Sequence, residues 1–178
     1  MPSPGHIALV AGLVSSSYFT FGNIGAAYFG VMPVTARGQT TLPVADRLAL
    51  WEAFYGVAKT HMASSTVTAG VALSVSAYQA SAGPLRSLLA AGAVAGFTVA
   101  LYSIIFMLPL NNQLSATLRA NSVKPMEPEE QQRVLDQLDQ WRSMHKRRIA
   151  LGLVSWVAST TALLASDPII QFVFSIDP

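Results

Sequence analysis

Residues 6–32 read HIALVAGLVSSSYFTFGNIGAAYFGVM, a stretch without a single Lys, Arg, Asp or Glu. A helix needs about 20 predominantly apolar residues to cross a hydrocarbon core about 30 Å thick. Three further stretches approach that length: about 61–82, about 87–110 after the short polar joint SAGPLR, and about 147–166 after the bases at Lys146–Arg148. Asp167-Pro168 is expected to end the last, and the apolar run inside 169–176 reads as an interfacial segment or an extension of that span. The first stretch exceeds the 7–15 apolar residues typical of a signal peptide and lacks a basic leader, so it reads as a retained span.

Composition agrees with a membrane protein. Of the 178 residues, 52% are hydrophobic and only 11% charged, against about 25% charged in an average soluble domain. Mean hydropathy is +0.43. There are no cysteines, which removes disulfides and thiolate metal sites. A net charge of +2 carries no signal for nucleic acid. The expectation is one integral membrane domain over 1–178: an all-α, four-helix transmembrane bundle with helical cytosolic extensions.

The basic residues are unevenly placed. With four spans, Arg37, Arg47 and Lys59 belong to the first connection, and Arg119, Lys124, Arg133, Arg142, Lys146, Arg147 and Arg148 to the third, while Arg86 stands alone on the other side. By the positive-inside rule the two larger loops are cytosolic and both termini are not. The endoplasmic reticulum is the default membrane for a eukaryotic source.

Small residues at four-residue spacing, Gly22, Ala26 and Gly30 in the first stretch and Gly92 and Gly96 in the third, would let helices approach closely in lipid. Both connections carry helical periodicity. Leu48, Trp51, Phe54 or Tyr55, and Ala58 recur on one face, as do Val134, Leu138, Trp141 and His145. Glu127, Glu129 and Glu130 open the second of these segments and bases close it, as the helix dipole favours, so the fourth span should continue into it as one long helix.

Polar groups with chemical potential collect at one depth. Asn111 and Asn112 follow the third stretch, His145 and Arg148 precede the fourth on one helical face, His61 opens the second, and Tyr55, Trp51 and Trp141 lie within about two turns. Each has a plain reading: aromatic anchors at the interface, an asparagine C-cap behind Pro109, members of a basic face. Asn23 falls mid-span, where an amide needs a partner inside the bundle. Phosphate-binding glycine loops, nucleophile elbows and H-x-x-x-H metal pairs are absent, and no acid lies inside a span, against an ordinary proton-coupled transporter.

WEAFY (51–55), LPLNNQL (108–114) and WRSMHKRR (141–148) together resemble the anthrone oxygenase-like family of small four-span membrane proteins. The resemblance implies oxidation of an anthrone-type aromatic polyketide to an anthraquinone by O₂ as co-substrate, with no cofactor required and metal dependence left open. It assigns His145 as base with His61 as a second candidate, Asn111 and Asn112 as orienting or oxyanion donors, Arg148 as charge partner, and Tyr55, Trp51 and Trp141 as walls of a slot for a flat tricycle. Partners are then the substrate and the lipid bilayer, with self-association open. The competing reading is a non-catalytic four-span scaffold or assembly protein with a basic cytosolic face.

Overall fold

The computed structural model describes residues 3–121 and 125–166. Lys124, Asp167-Pro168 and the apolar run within 169–176 lie outside the described residues.

Six α-helices account for nearly all of the described chain, and no strand occurs among the described residues. Helix α1 (Pro4–Tyr28) begins with Pro in its first turn and with Ser3 Oγ accepting from the His6 backbone N–H at 3.2 Å, a start that satisfies an orphan helix donor. The apolar stretch does not run unbroken to residue 32. It stops at Phe29-Gly30 and resumes as α2 (Val31–Thr35). A Cβ on Gly30 would lie 2.9 Å from Ala26 Cα, so this glycine serves the chain's own turn and not a helix–helix contact.

Helix α3 (Val44–Gln79) joins the periodic segment around Trp51 to the second apolar stretch, since no proline interrupts it. The turn that follows places Gly83 at φ +143°, where a side chain would be strained, and Pro84 opens α4 (Pro84–Tyr102). A π-helical turn, Ser103–Met107, then leads into α5 (Leu108–Ala120). Pro109, in the first turn of α5, has no N–H to give and crowds the carbonyl four residues back; a widened turn just before it accommodates both. The helix therefore does not end at Pro109. Asn111 and Asn112 lie within α5, whose C-cap is Asn121, so the C-cap reading of the asparagine pair is overturned. Helix α6 (Pro128–Ser166) is the expected single long helix, with Glu129 and Glu130 in its first turn.

Among the described residues, three helical stretches are long and apolar enough to cross a membrane: Pro4–Thr35, Pro84–Ala120 and Pro128–Ser166. The expected fourth, 61–82, falls in α3 and does not reach that apolarity. Ser64, Ser65, Thr66, Thr68, Ser74 and Ser76 dilute it.

The chain divides into two compact units. Unit one takes the described parts of Met1–Thr20, Ser64–Ala100 and Ala150–Pro178. Its helices touch through small residues: a Cβ on Gly96 would sit 3.1 Å from Gly70 N and 3.3 Å from Thr66 O, and one on Gly92 would meet Ala158 Cβ at 2.9 Å. Such proximity is how helices gain van der Waals contact where lipid supplies no hydrophobic drive. Leu9, Leu73, Ala77, Leu89, Ala93 and Ala162 form its apolar core.

Unit two takes Phe21–Ala63 and Leu101–Ile149. Its core is bulky, built on Met32, Leu48, Trp51, Met107, Leu110, Leu114, Leu138 and Trp141. Arg47, read from sequence as a topology charge, is 9% exposed and donates to the carbonyls of Leu42, Ala36 and Thr40, pinning the loop between α2 and α3. Arg37 pairs with Asp136 at 2.6 Å and Asp139 at 3.4 Å.

Candidate active site

Every residue of the candidate site belongs to unit two. The stripe Val134, Leu138, Trp141 and His145 is buried along α6, as its spacing requires. Trp51 on α3 stacks on Tyr55 (centroids 5.2 Å, planes 9° apart) and meets Trp141 edge-on at 6.1 Å. Phe54 meets Trp141 edge-on at 6.4 Å, and Trp141 contacts the His145 ring at 5.1 Å. Offset and edge-to-face pairs of this kind contribute roughly 0.5–1.5 kcal/mol each beyond the area they bury. The two tryptophans of this aromatic wall are thus interior packing and not a row of interfacial anchors: Trp51 and Trp141 are 0% and 2% exposed.

On this wall lies a recess of about 30 Å³, lined by Phe54, Tyr55, Ala58, Lys59, Met62, Met107, Asn111, Trp141 and Arg148. Two of its polar groups matter most. Asn111 is 6% exposed and its Oδ1 has no hydrogen-bond partner. Leaving a buried acceptor unmet costs about 1–3 kcal/mol, so this amide oxygen calls for a donor within the recess. The second is the Arg148 guanidinium. Its Nη2 donates to Asn23 Oδ1 at 2.7 Å and lies 3.1 Å from His145 Nδ1. Lys59 Nζ stands 5.6 Å over the Tyr55 ring at the same recess.

These contacts assign the histidine tautomer. A guanidinium has donors only, so Nδ1 of His145 must accept with its lone pair and the ring proton sits on Nε2. That Nε2–H points to the Asn23 carbonyl oxygen at 3.4 Å. His145, fully buried, is a neutral imidazole with both nitrogens engaged. It stands behind Arg148 and does not line the recess.

Of the residues singled out from sequence, Tyr55, Asn111, Trp141 and Arg148 converge on the recess, with Trp51 and His145 packed against them. Asn112 and His61 are exposed and do not line it. Asn111 and Asn112 are adjacent and so stand about 100° apart around the helix, and the π-helical turn ahead of α5 shifts the phase that decides which of the two faces inward. Sequence reasoning missed Lys59, one turn after Tyr55, and it gave Asn23 no part in the site. The signal for Asn23 was present: an amide in a stretch free of charge needs a partner, and here the partner is the site's arginine. Among the described residues no group of three His, Asp or Glu side chains is arranged to hold a metal ion.

The fold and the recess together describe an all-α chain with helices fit to cross a membrane and one buried polar pocket walled by aromatic rings. The model of the anthrone oxygenase family matches residues 51–158, and the chain belongs to that family. No curated protein and no solved structure matches it. The matched stretch contains Tyr55, Asn111, Trp141, His145 and Arg148, and leaves Asn23 outside.

Proposed function

We propose that the protein is a membrane oxygenase that converts the methylene of an anthrone-type aromatic polyketide to a carbonyl, giving the anthraquinone. The balance is CH₂ + O₂ → C=O + H₂O: one oxygen atom enters the ketone, the other leaves as water, and the four electrons lost by carbon reduce O₂. The methylene is acidic because its deprotonation makes the central ring aromatic and moves the charge to the carbonyl oxygen. A group that stabilises that oxyanion raises the population of the electron-rich anion that O₂ attacks.

The observation that carries this reading is the acceptor Oδ1 of Asn111 in the same recess as the Arg148 guanidinium. The buried cation suits a developing oxyanion, and the amide oxygen suits a hydroxyl donor on the same flat ring system. Arg148 takes the substrate oxygen and Asn111 orients the ring system through its oxygen substituents. His145 is the base in this reading, through the Nδ1 lone pair that lies 3.1 Å from Arg148 Nη2 beside the recess. Space for a tricycle is made by moving Tyr55, Phe54 and Lys59, which are half-buried or exposed. A water needs only about 10–15 Å³, whereas the recess, at about 30 Å³, must open to admit three fused rings.

We further infer four spans, with the second half of α3 as the fourth. The Ser74 and Ser76 hydroxyls return to the carbonyls of Gly70 and Ala72, so they enter lipid already bonded. The larger connections are cytosolic in this topology. A scaffold with a basic docking face is the second reading, and three of its bases, Arg37, Arg133 and Arg142, pair with Asp136, Glu130 and Asp139 of this chain.

The test is anthrone-dependent O₂ uptake by chelator-treated membranes carrying the wild type, His145→Ala or Asn111→Ala. Uptake by the wild type alone supports a metal-independent oxygenase using this recess. Equal rates in all three folded proteins would sink the assignment and favour the scaffold.

A further inference from the structure

Asn23 is 1% exposed, on a stretch of α1 that has no charged residue. Three of its polar groups are committed to other helices. Oδ1 accepts from Arg148 at 2.7 Å, the backbone carbonyl faces His145 Nε2 at 3.4 Å, and Nδ2 lies 3.2 Å from Met62 Sδ. A helix carbonyl has a second lone pair beyond its ladder bond, which is the one His145 uses. Asn23 therefore touches both members of the His145–Arg148 pair, with one atom each, and its third group meets Met62, another residue of the recess wall.

The choice of residue type follows from that geometry. A serine is too short to span from α1 to the guanidinium, and a glutamine carries its amide one methylene further out than the guanidinium stands. An aspartate would reach, but it would set a carboxylate against Arg148 and screen its charge from anything in the recess. Asparagine holds a guanidinium without adding a counter-charge. His145 Nδ1 is likewise a neutral acceptor.

We propose that Asn23 is a positioning residue of this site. Its side-chain amide fixes the Arg148 guanidinium, the donor that His145 Nδ1 meets and that keeps the ring in the Nε2–H tautomer; the backbone carbonyl facing Nε2 is present whatever residue stands at this position. The bound ligand class is an oxyanion on a flat aromatic ring, and the inference rests on the reaction proposed above only for that ligand.

The experiment compares wild type, Asn23→Leu, Asn23→Asp and Asn23→Gln in nanodiscs, by ¹⁵N NMR of histidine-labelled protein and by O₂ uptake with anthrone. His145 signals are identified by their loss in His145→Gln. The wild type should show a protonated Nε2 and an unprotonated, hydrogen-bonded Nδ1. In Asn23→Leu the Nδ1 signal should shift, and kcat should fall at least about tenfold with a smaller change in KM, because a misplaced oxyanion donor loses transition-state stabilisation. Asn23→Asp should keep the wild-type ring signals yet lose turnover, separating placement from charge. Asn23→Gln should move the ring signals as Leu does, and it answers the same question if Leu fails to fold. A folded Leu or Gln variant with wild-type ring signals and wild-type kinetics overturns the proposal. A wild type without anthrone-dependent uptake sinks the proposed reaction instead; shifted ring signals would then still uphold the positioning role, and unshifted ones would end it.

Discussion

The two units solve the packing of helices by opposite means. Unit one brings backbones together at Gly96 and seats the Phe97 and Phe19 rings on Gly70 and Gly152, and its polar links are short: the Ser16 and Ser159 hydroxyls meet at 3.1 Å, and Ser76 reaches Gly5 O at 3.0 Å. Unit two builds its core on Trp51, Trp141, Met32 and Met107, and links α6 to α1 with the side chains of Arg148 and His145. Unit one still leaves an open groove of about 360 Å³ between Tyr78, Arg86 and Phe97; what sets unit two apart is a small recess where a cation and an amide meet aromatic rings. Stability in one unit and chemistry in the other should therefore respond differently to substitution.

The largest effect is expected at Arg148. Arg148→Met removes the cation from the recess and should lower anthrone-dependent O₂ uptake by about 10²–10³-fold, the scale for losing one preorganised donor at a developing oxyanion. A loss below tenfold in folded protein would show that Arg148 does not face the reacting oxygen.

Next comes Gly96. Its Cβ direction meets backbone atoms, Gly70 N and Thr66 O, which cannot swing aside. Gly96→Leu should lower stability by about 1–3 kcal/mol or more through overpacking, read as a drop in melting temperature in detergent. Wild-type melting would mean that close approach is incidental to unit one.

Asn111→Leu sharpens the contrast by changing sign. Filling the site with an apolar side chain of similar size removes an unmet acceptor that costs about 1–3 kcal/mol, so melting should rise or hold while turnover falls. A fall in melting temperature would indicate a structural partner for that amide. By comparison, Asn112→Ala on the exposed side of the same helix should cause the smaller loss of turnover.

The smallest effect is expected at the hydroxyl pair. Ser159→Ala breaks the Ser16–Ser159 contact, and an interhelical hydrogen bond in a membrane averages about 0.6 kcal/mol; a change of about a degree in melting, with turnover unaltered, is the expected outcome.

Much of this architecture is legible in the chain because its signals are local. Runs without charge mark helices that fit a membrane, the 3.6-residue stripe from Val134 to His145 marks a buried face, and acids at Glu129 and Glu130 mark where α6 begins. The same stripe turns Trp141 and His145 inward by spacing alone. Three features are out of its reach. Whether Asn111 or Asn112 faces the interior depends on the π-helical turn at 103–107, a shift in helical phase that no spacing rule applied across Pro109 reveals. Whether His61 joins His145 depends on α3 running unbroken through residue 61, which leaves that side chain exposed. And the meeting of Asn23 with Arg148 spans 125 positions of sequence. Periodicity states which side of a helix is buried, because that follows from neighbouring residues alone; which buried polar group answers which is decided only when distant helices are brought within hydrogen-bond range.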